Sequence, residues 1–454
     1  MIVPGGATAT ANHVRASETL LQMNRVLSAL RQRAVDVKPD ELRAMWLGFI
    51  FHFVVLAGYY VIRPIRDEIG ASSGVEKLPW MFTAVLLTMF AANALFAAIV
   101  ARMSRRRFIP IAYRFFIANL VIFYLLMRTL PAAQQPLLAR CFFVWVSVFN
   151  LFATTVFWAF MTDLFTTEQG KRLFGFIAVG GSLGGILGPI ITASLVHRVT
   201  TGVFLLICAA MLEIAAQCVR FFPSNFTAQD QRQSSEKPMG GNIWEGITHI
   251  CRSPYLFGLL LFILLYTSTS TWAYFQQADL TKYQIQDSAT RTAFFAKLDL
   301  SVNTLTVFVQ IFLTGRLLKW LGVGLTLVLM PVLSLFGFLA IGIAPVLAVL
   351  AVFQVMRRAA TFALTRPARE VLFTVLRRED KYKAKSFIDT FAYRAGDQIG
   401  AWSYGGLHDR GFNVSATSYI AIPFVALWCG LSLWLGRRQV ALAHARAKQH
   451  TTKL

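Results

Sequence analysis

The chain has 454 residues, of which 56% are hydrophobic and 15% charged, and its mean hydropathy is +0.56. A water-soluble core cannot absorb that much apolar surface, and the same values exclude a disordered chain, a disulfide scaffold and a fibrous repeat. The 44 Lys and Arg against 22 Asp and Glu give a net charge of +22. With no recognisable nucleic-acid-binding module, that excess reads as the basic loops on the cytoplasmic side of a membrane protein.

In chain order, residues 1–43 hold no early apolar run of the length a signal peptide needs. Leu20, Leu21, Met23, Val26, Leu27 and Leu30 recur at helical spacing among Arg25, Arg31 and Arg33, which predicts an amphipathic surface helix. Apolar runs then fall at about 44–66, 79–101, 108–128, 138–161, 174–196 and 202–222. A second set falls at about 255–277, 294–315, 323–343, 346–365, 386–406 and 416–436. Each is long enough to cross a bilayer. The pattern predicts an all-α integral membrane protein with twelve transmembrane helices in two six-helix bundles, 44–222 and 255–436. A polar cytoplasmic linker, 223–254, joins the bundles, and a basic cytoplasmic tail, 437–454, follows them. About 30 Lys and Arg fall on the side that carries both termini, against about 9 opposite, so both termini are predicted to be cytoplasmic. Basic connections recur after the second helix of each half, at Arg102–Arg107 and Gly315–Lys319. They fit either an internal repeat of the kind parallel-repeat transporters carry or two unrelated positive-inside loops.

Charged groups inside membrane helices cost about 2.5–3.5 kcal/mol even on lenient insertion scales, so their placement is informative. On the first helix, His52, Tyr59, Arg63 and Arg66 share a stripe, with Asp67 beside it and Pro64 as a possible kink. This is either a cationic strip facing a wet cavity or an interfacial anchor. The eighth helix carries Asp299, Asn303, Thr306 and Gln310 on one narrow face, with Lys297 near enough in sequence to neutralise Asp299. Such a seam lines a pathway or glues helices together. The eleventh helix carries Lys385, Asp389, Tyr393 and Asp397 at steps of four, with Arg394 and Gln398 on the margin. Arg357 and Arg358 in the tenth are adjacent and cannot share a face, so at least one is expected to point inward or to the cytoplasmic boundary. In the fifth, Gly180, Gly184 and Gly188 clear one face for a neighbouring helix. No phosphate-binding loop or paired-histidine metal motif occurs, the seven histidines are scattered, and the five cysteines form no CxxC pair. No enzymatic activity, metal or cofactor is expected.

Three segments resemble the ATP/ADP translocase (nucleotide transporter) family of plastids and intracellular bacteria, a branch of the major facilitator superfamily. Tyr60-Val61-Ile62-Arg63-Pro64-Ile65-Arg66-Asp67 is similar to the family's first-helix pattern, with Arg66 where that pattern has a lysine. Phe157-Trp158-Ala159-Phe160, followed by Glu168 and Lys171-Arg172-Leu173-Phe174, is similar to its fourth-helix region. Pro367-Ala368-Arg369-Glu370, Lys383 through Asp389, and Arg394-Ala395-Gly396 are similar to a third motif, the most specific of the three. The resemblance implies a twelve-helix fold and exchange of a phosphorylated or otherwise anionic metabolite. Two stretches depart from the family. Thr269-Ser270-Thr271-Trp272-Ala273 stands where nucleotide carriers present a glutamate and a lysine around a tryptophan, and Thr162 stands where they have an asparagine. Both bear on substrate choice and not on fold.

Together these readings predict a secondary transporter, in a bacterial inner membrane, that exchanges a small anionic substrate such as ATP or ADP by alternating access. The lipid bilayer is its only other partner; no protein partner and no nucleic acid are expected. Arg63, Arg66, Lys385 and Arg394, with Tyr59, Tyr393 and Asn303, are the expected substrate-binding residues. Asp67, Asp299, Asp389, Asp397 and Glu370 are the expected charge-balancing or proton-accepting carboxylates. The competing readings are a proton-coupled facilitator for a drug, sugar or peptide, and a non-transporting membrane scaffold or sensor.

Overall fold

The structure, a computed structural model, describes residues 37–100, 105–222, 253–376 and 388–451. The predicted amphipathic helix, most of the linker and Lys385 lie outside those residues. Helices run over Leu42–Ser73 (α1), Leu78–Val100 (α2), Arg105–Thr129 (α3), Gln135–Leu164 (α4), Thr167–Leu195 (α5) and Thr201–Phe221 (α6). The second set is Pro254–Gln284 (α7), Ser288–Phe312 (α8), Thr314–Ile343 (α9), Leu347–Ala360 (α10), Tyr393–Asp409 (α11) and Val414–Thr451 (α12). Among the described residues, eleven helical stretches are long and apolar enough to cross a membrane. The helix outside that group is α11, which is shorter and carries Arg394, Asp397, Gln398, His408 and Asp409.

Most helices outrun the apolar runs that predict them. At about 1.5 Å per residue, the 32-residue α1 exceeds a bilayer core of about 30 Å, so its ends project or the helix tilts. It continues through Pro64 without a break. At its start, Glu41 accepts hydrogen bonds from Arg172 (2.8 and 3.1 Å) and Gln169 (3.1 Å), tying it to the second turn of α5 and, through Gln169, to the first. That turn is itself fixed by a capping box, with Thr166 and Gln169 exchanging side-chain-to-backbone bonds. In α9, Gly322 has φ 69° and ψ 177°, a conformation that excludes most side chains, and it separates the basic turn around Arg316 and Lys319 from the apolar span. α10 runs through a π-turn at Thr361–Thr365 into a further helical segment, Arg366–Leu372, and a second π-turn, Ile388–Ala392, precedes α11.

α1–α6 pack chiefly on one another, as do α7–α12. The glycines of α5 explain the closest approach. A Cβ on Gly180, Gly184 or Gly188 would stand 2.4, 2.2 or 2.6 Å from the carbonyl oxygens of Phe49, Phe53 and Ala57 on α1, respectively. Only hydrogen fits there, so the predicted packing role of this motif is met. The two sets meet through α1 with α7 and α8, α2 with α11, and α5 with α8. The polar links between them run from mid-helix toward the end where α1 gives way to α2. Arg291 donates to Glu68 at 2.7 and 3.2 Å, Tyr274 to Asp67 at 3.3 Å, Thr83 to Gln398 at 3.0 Å and Trp402 to Thr83 at 3.2 Å. Trp80 stands edge-on to Trp402 with ring centroids 4.8 Å apart.

Candidate functional site

Two carboxylates organise the middle of the molecule. Asp299, on the inward face of α8 and 1% exposed, receives Arg63 from α1 at 3.3 Å and Arg358 from α10 at 2.6 Å, both on Oδ1. Asp67 receives Arg66 at 2.7 Å, Arg63 at 3.8 Å and the Tyr274 hydroxyl of α7. Arg66 also donates to Ser147 of α4 at 3.2 Å and lies 4.1 Å above the Phe143 ring, so a planar cation is held by an ion pair, a hydroxyl and an aromatic face. On the other side, Arg394 donates to Asp397 at 3.2 Å, and Asp397 also accepts a long hydrogen bond from Thr271 at 3.4 Å.

These groups are not scattered. Tyr59, Arg63 and Arg66 of α1, Ser147 and Asn150 of α4, and Arg394, Asp397 and Gln398 of α11 line one cavity of about 180 Å³, closed on its apolar side by α2 residues including Phe82 and Met89. Arginines from α1 and from α11, each reached through a different set of six helices, therefore share one chamber. In the surrounding cluster the guanidinium groups of Arg63, Arg66, Arg358 and Arg394 meet the carboxylates of Asp67, Asp299 and Asp397, which leaves a cationic excess. Such an arrangement attracts an anion, and guanidinium groups suit phosphate because they bind it with paired hydrogen bonds.

Several sequence-predicted residues sit elsewhere. Asn303 donates to the Gly185 carbonyl at 2.6 Å, so it joins α8 to α5. Gln310 reaches the Phe362 carbonyl at 3.4 Å, and Thr306 bonds within its own helix. Asn303 and Gln310 of the α8 seam therefore act as interhelical glue, the other reading its spacing allows. Lys297 is exposed, and Asp299 is neutralised by Arg63 and Arg358 instead. Tyr393 is engaged by Arg369 and packs against Tyr266, away from the cavity lining. The π-turn before it adds a residue per turn, which breaks the four-residue stripe between Asp389 and Tyr393. Glu370 is half exposed beside Arg369 at 3.6 Å, and His52 is buried against Phe157.

Arg358, which pairs with Asp299, and Gln398, which lines the cavity, are the site residues that sequence reasoning undervalued, and Arg357 beside them in the chain is a further buried charge. Arg357 is buried, and the partners described for it are neutral: Ser270 at 2.6 Å and Gln354 at 3.1 Å. An arginine with no carboxylate inside a membrane helix was the available signal, because its cost calls for a functional return.

Membrane-length helices around a polar cavity lined from two helix sets define a polytopic membrane transporter. A family model described as the Major Facilitator Superfamily matches residues 45–376, and the chain belongs to that superfamily. At the level of whole sequences it is similar to ADP,ATP carrier protein 1 of Chlamydia muridarum, 23% identical over 89% of each chain, and to that of Chlamydia trachomatis, 22% identical over 89% of each. These relatives agree with the translocase resemblance of its three motifs. Its fold matches a bacterial homologue of the iron transporter ferroportin in an inward-facing state, with TM-score 0.63, 11% identity, 88% of this chain and 100% of that one. It also matches a bacterial homologue of the human lysosomal transporter Spinster, inward-facing and unoccupied, with TM-score 0.60, 13% identity, 89% of this chain and 99% of that one.

Proposed function

We propose that this chain exchanges a phosphorylated, nucleotide-like anion across a bacterial inner membrane by alternating access. In this reading twelve helices form two rocking bundles, 44–222 and 255–436, and both termini are cytoplasmic. The observation that carries it is the cavity shared by Arg63 and Arg66 of the first bundle and Arg394 of the second. The carrier-named relatives and the positive-inside charge bias support it.

The mechanism follows from electrostatics. Closing the bundles over a net cationic excess is costly in a low-dielectric interior, whereas a bound phosphate neutralises it and leaves both closed forms accessible. Empty return is thereby disfavoured and exchange favoured. Tyr59 and Asn150 supply neutral polar contacts, and Asp67 and Asp299 hold the arginines in place between substrates. A volume of about 180 Å³ is below the usual size of a whole-ligand site, so in this reading the cavity takes a phosphate-bearing end of the substrate while the rest extends toward the open side. In this reading the polar links gathered where α1 meets α2 close the extracytoplasmic side.

Proteoliposomes loaded with ADP test this reading. Uptake of labelled ATP should require internal ADP and should fail for Arg66→Gln with normal reconstitution. Uptake that follows a pH gradient and ignores the internal nucleotide would overturn it in favour of a proton-coupled facilitator.

A further inference from the structure

A second cavity, separate from the polar chamber, opens sideways. α2 rests on α4 and α11, while α3 rests on α6 and α4, so α2 and α3 diverge and α4 forms the floor between them. The resulting groove has a volume of about 1060 Å³. Its walls are apolar along most of their length, with Trp80, Phe96, Ile111, Phe115, Trp145 and Phe152 among them. Trp80 and Phe115 are 65% and 62% exposed, so the groove faces the hydrocarbon of the bilayer. Among the described residues, two cations stand in its lining, Lys77 just before α2 and Arg140 in the second turn of α4, both toward the end where α1 gives way to α2. Among the described residues neither side chain has an ion pair or hydrogen bond, and the Arg140 Nε is buried without a partner. Among the described residues that line the groove, none is a carboxylate.

We propose that this groove is a binding site for an anionic phospholipid, with the headgroup phosphate between Lys77 and Arg140 and the acyl chains along the aromatic walls. The chains leave one hydrocarbon surrounding for another, so they contribute little selectivity. Discrimination comes from the headgroup, where two unpaired cations favour net negative charge and the arginine fork matches phosphate oxygens. The site has a route to the transport machinery. Trp80 is both a wall of the groove and the α2 partner of Trp402 on α11, so a seated lipid braces a helix that joins the two halves.

The full chain, purified in neutral detergent, supplies the test. Phosphatidylglycerol should raise its unfolding midpoint more than phosphatidylcholine with identical chains, and the difference should vanish in the doubly substituted Lys77→Gln, Arg140→Gln protein. The pair Lys77→Arg, Arg140→Lys should keep it. Glycerol 3-phosphate alone should produce no shift. Equal stabilisation by the two lipids, an undiminished preference in the Gln pair, or an equal effect of free glycerol phosphate would each overturn the proposal. If the Gln pair does not fold, the wild type decides. Phosphatidylglycerol with brominated chains should quench Trp80 and Trp145 at lower mole fraction than brominated phosphatidylcholine, and equal quenching would refute the site.

Discussion

α1 has two kinds of neighbour. Against α5, within its own set of helices, it makes a seam of glycines and backbone carbonyls with no room for a methyl group. Against α7 and α8, across the molecule, it meets its neighbours through ion pairs and hydrogen bonds: Glu68 with Arg291, Asp67 with Tyr274, Arg63 with Asp299. Close apolar packing has one good geometry and resists sliding, whereas charged contacts can be exchanged for water or for a ligand's charge. The first kind of seam builds a rigid body and the second a joint. On the proposed alternating-access reading, one helix thereby belongs firmly to one half and reversibly to the other, as rocking bundles need.

Substitutions on the two sides should therefore fail differently. The largest effect is expected at Asp299, where Asp299→Ala strands Arg358, leaves Arg63 only its longer contact with Asp67, and should cost about 3–5 kcal/mol of stability. Adding Arg358→Gln should recover part of that loss, as read by unfolding midpoints in a double-mutant cycle; strict additivity would mean the pair is not coupled. Next comes the seam. Gly184→Ala places a Cβ against the Phe53 carbonyl and should cost about 1–3 kcal/mol, while Gly175→Ala, which meets nothing within 4 Å, should be neutral or stabilising by about 0.5–1 kcal/mol. Equal effects at the two glycines would dissolve the seam.

At the joint, Arg291→Gln removes a hydrogen-bonded charge pair worth about 1.5–3 kcal/mol, so the population open at that end should rise roughly tenfold or more. Spin labels at Ser73 and Ala289 would report it as a longer distance component, with little change in unfolding midpoint. The smallest effect is a pH dependence at the opposite end of α1. Burial raises the carboxyl pKa of Glu41, but its bonds to Arg172, Lys38 and Gln169 outweigh this and hold it below the ordinary value. A group with a lowered folded pKa stabilises the fold above its unfolded pKa, about 4.3, and loses that contribution as pH falls through the folded value. The wild type should therefore lose its advantage over Glu41→Gln on acidification below about pH 4, and a constant difference from pH 7 to pH 3 would remove Glu41 from the account.

Much of this architecture was legible from the residues. Apolar run lengths located the helices, because a bilayer sets a minimum span, and the glycine spacing on α5 announced a close approach. Intramembrane charge pointed to Arg63, Arg66, Arg394 and Asp397, which share the cavity. What periodicity did not deliver was pairing across the molecule. The α8 stripe looks uniform, yet Asp299 binds arginines while Asn303 ties down α5, since the neighbour and not the stripe decides what a polar face does. The α11 stripe assumes an unbroken helix, and the π-turn at Ile388–Ala392 shifts its register. Arg358 was visible as a charge but not as the partner of Asp299, because that pairing depends on how α8 and α10 cross.

The central claim is that arginines of both halves bind one anion in a shared cavity. Equilibrium binding of labelled ADP to the purified protein tests it most directly. Arg66→Gln and Arg394→Gln, on opposite halves, should each weaken binding at least roughly tenfold while the protein remains folded. Wild-type affinity in either variant would contradict it.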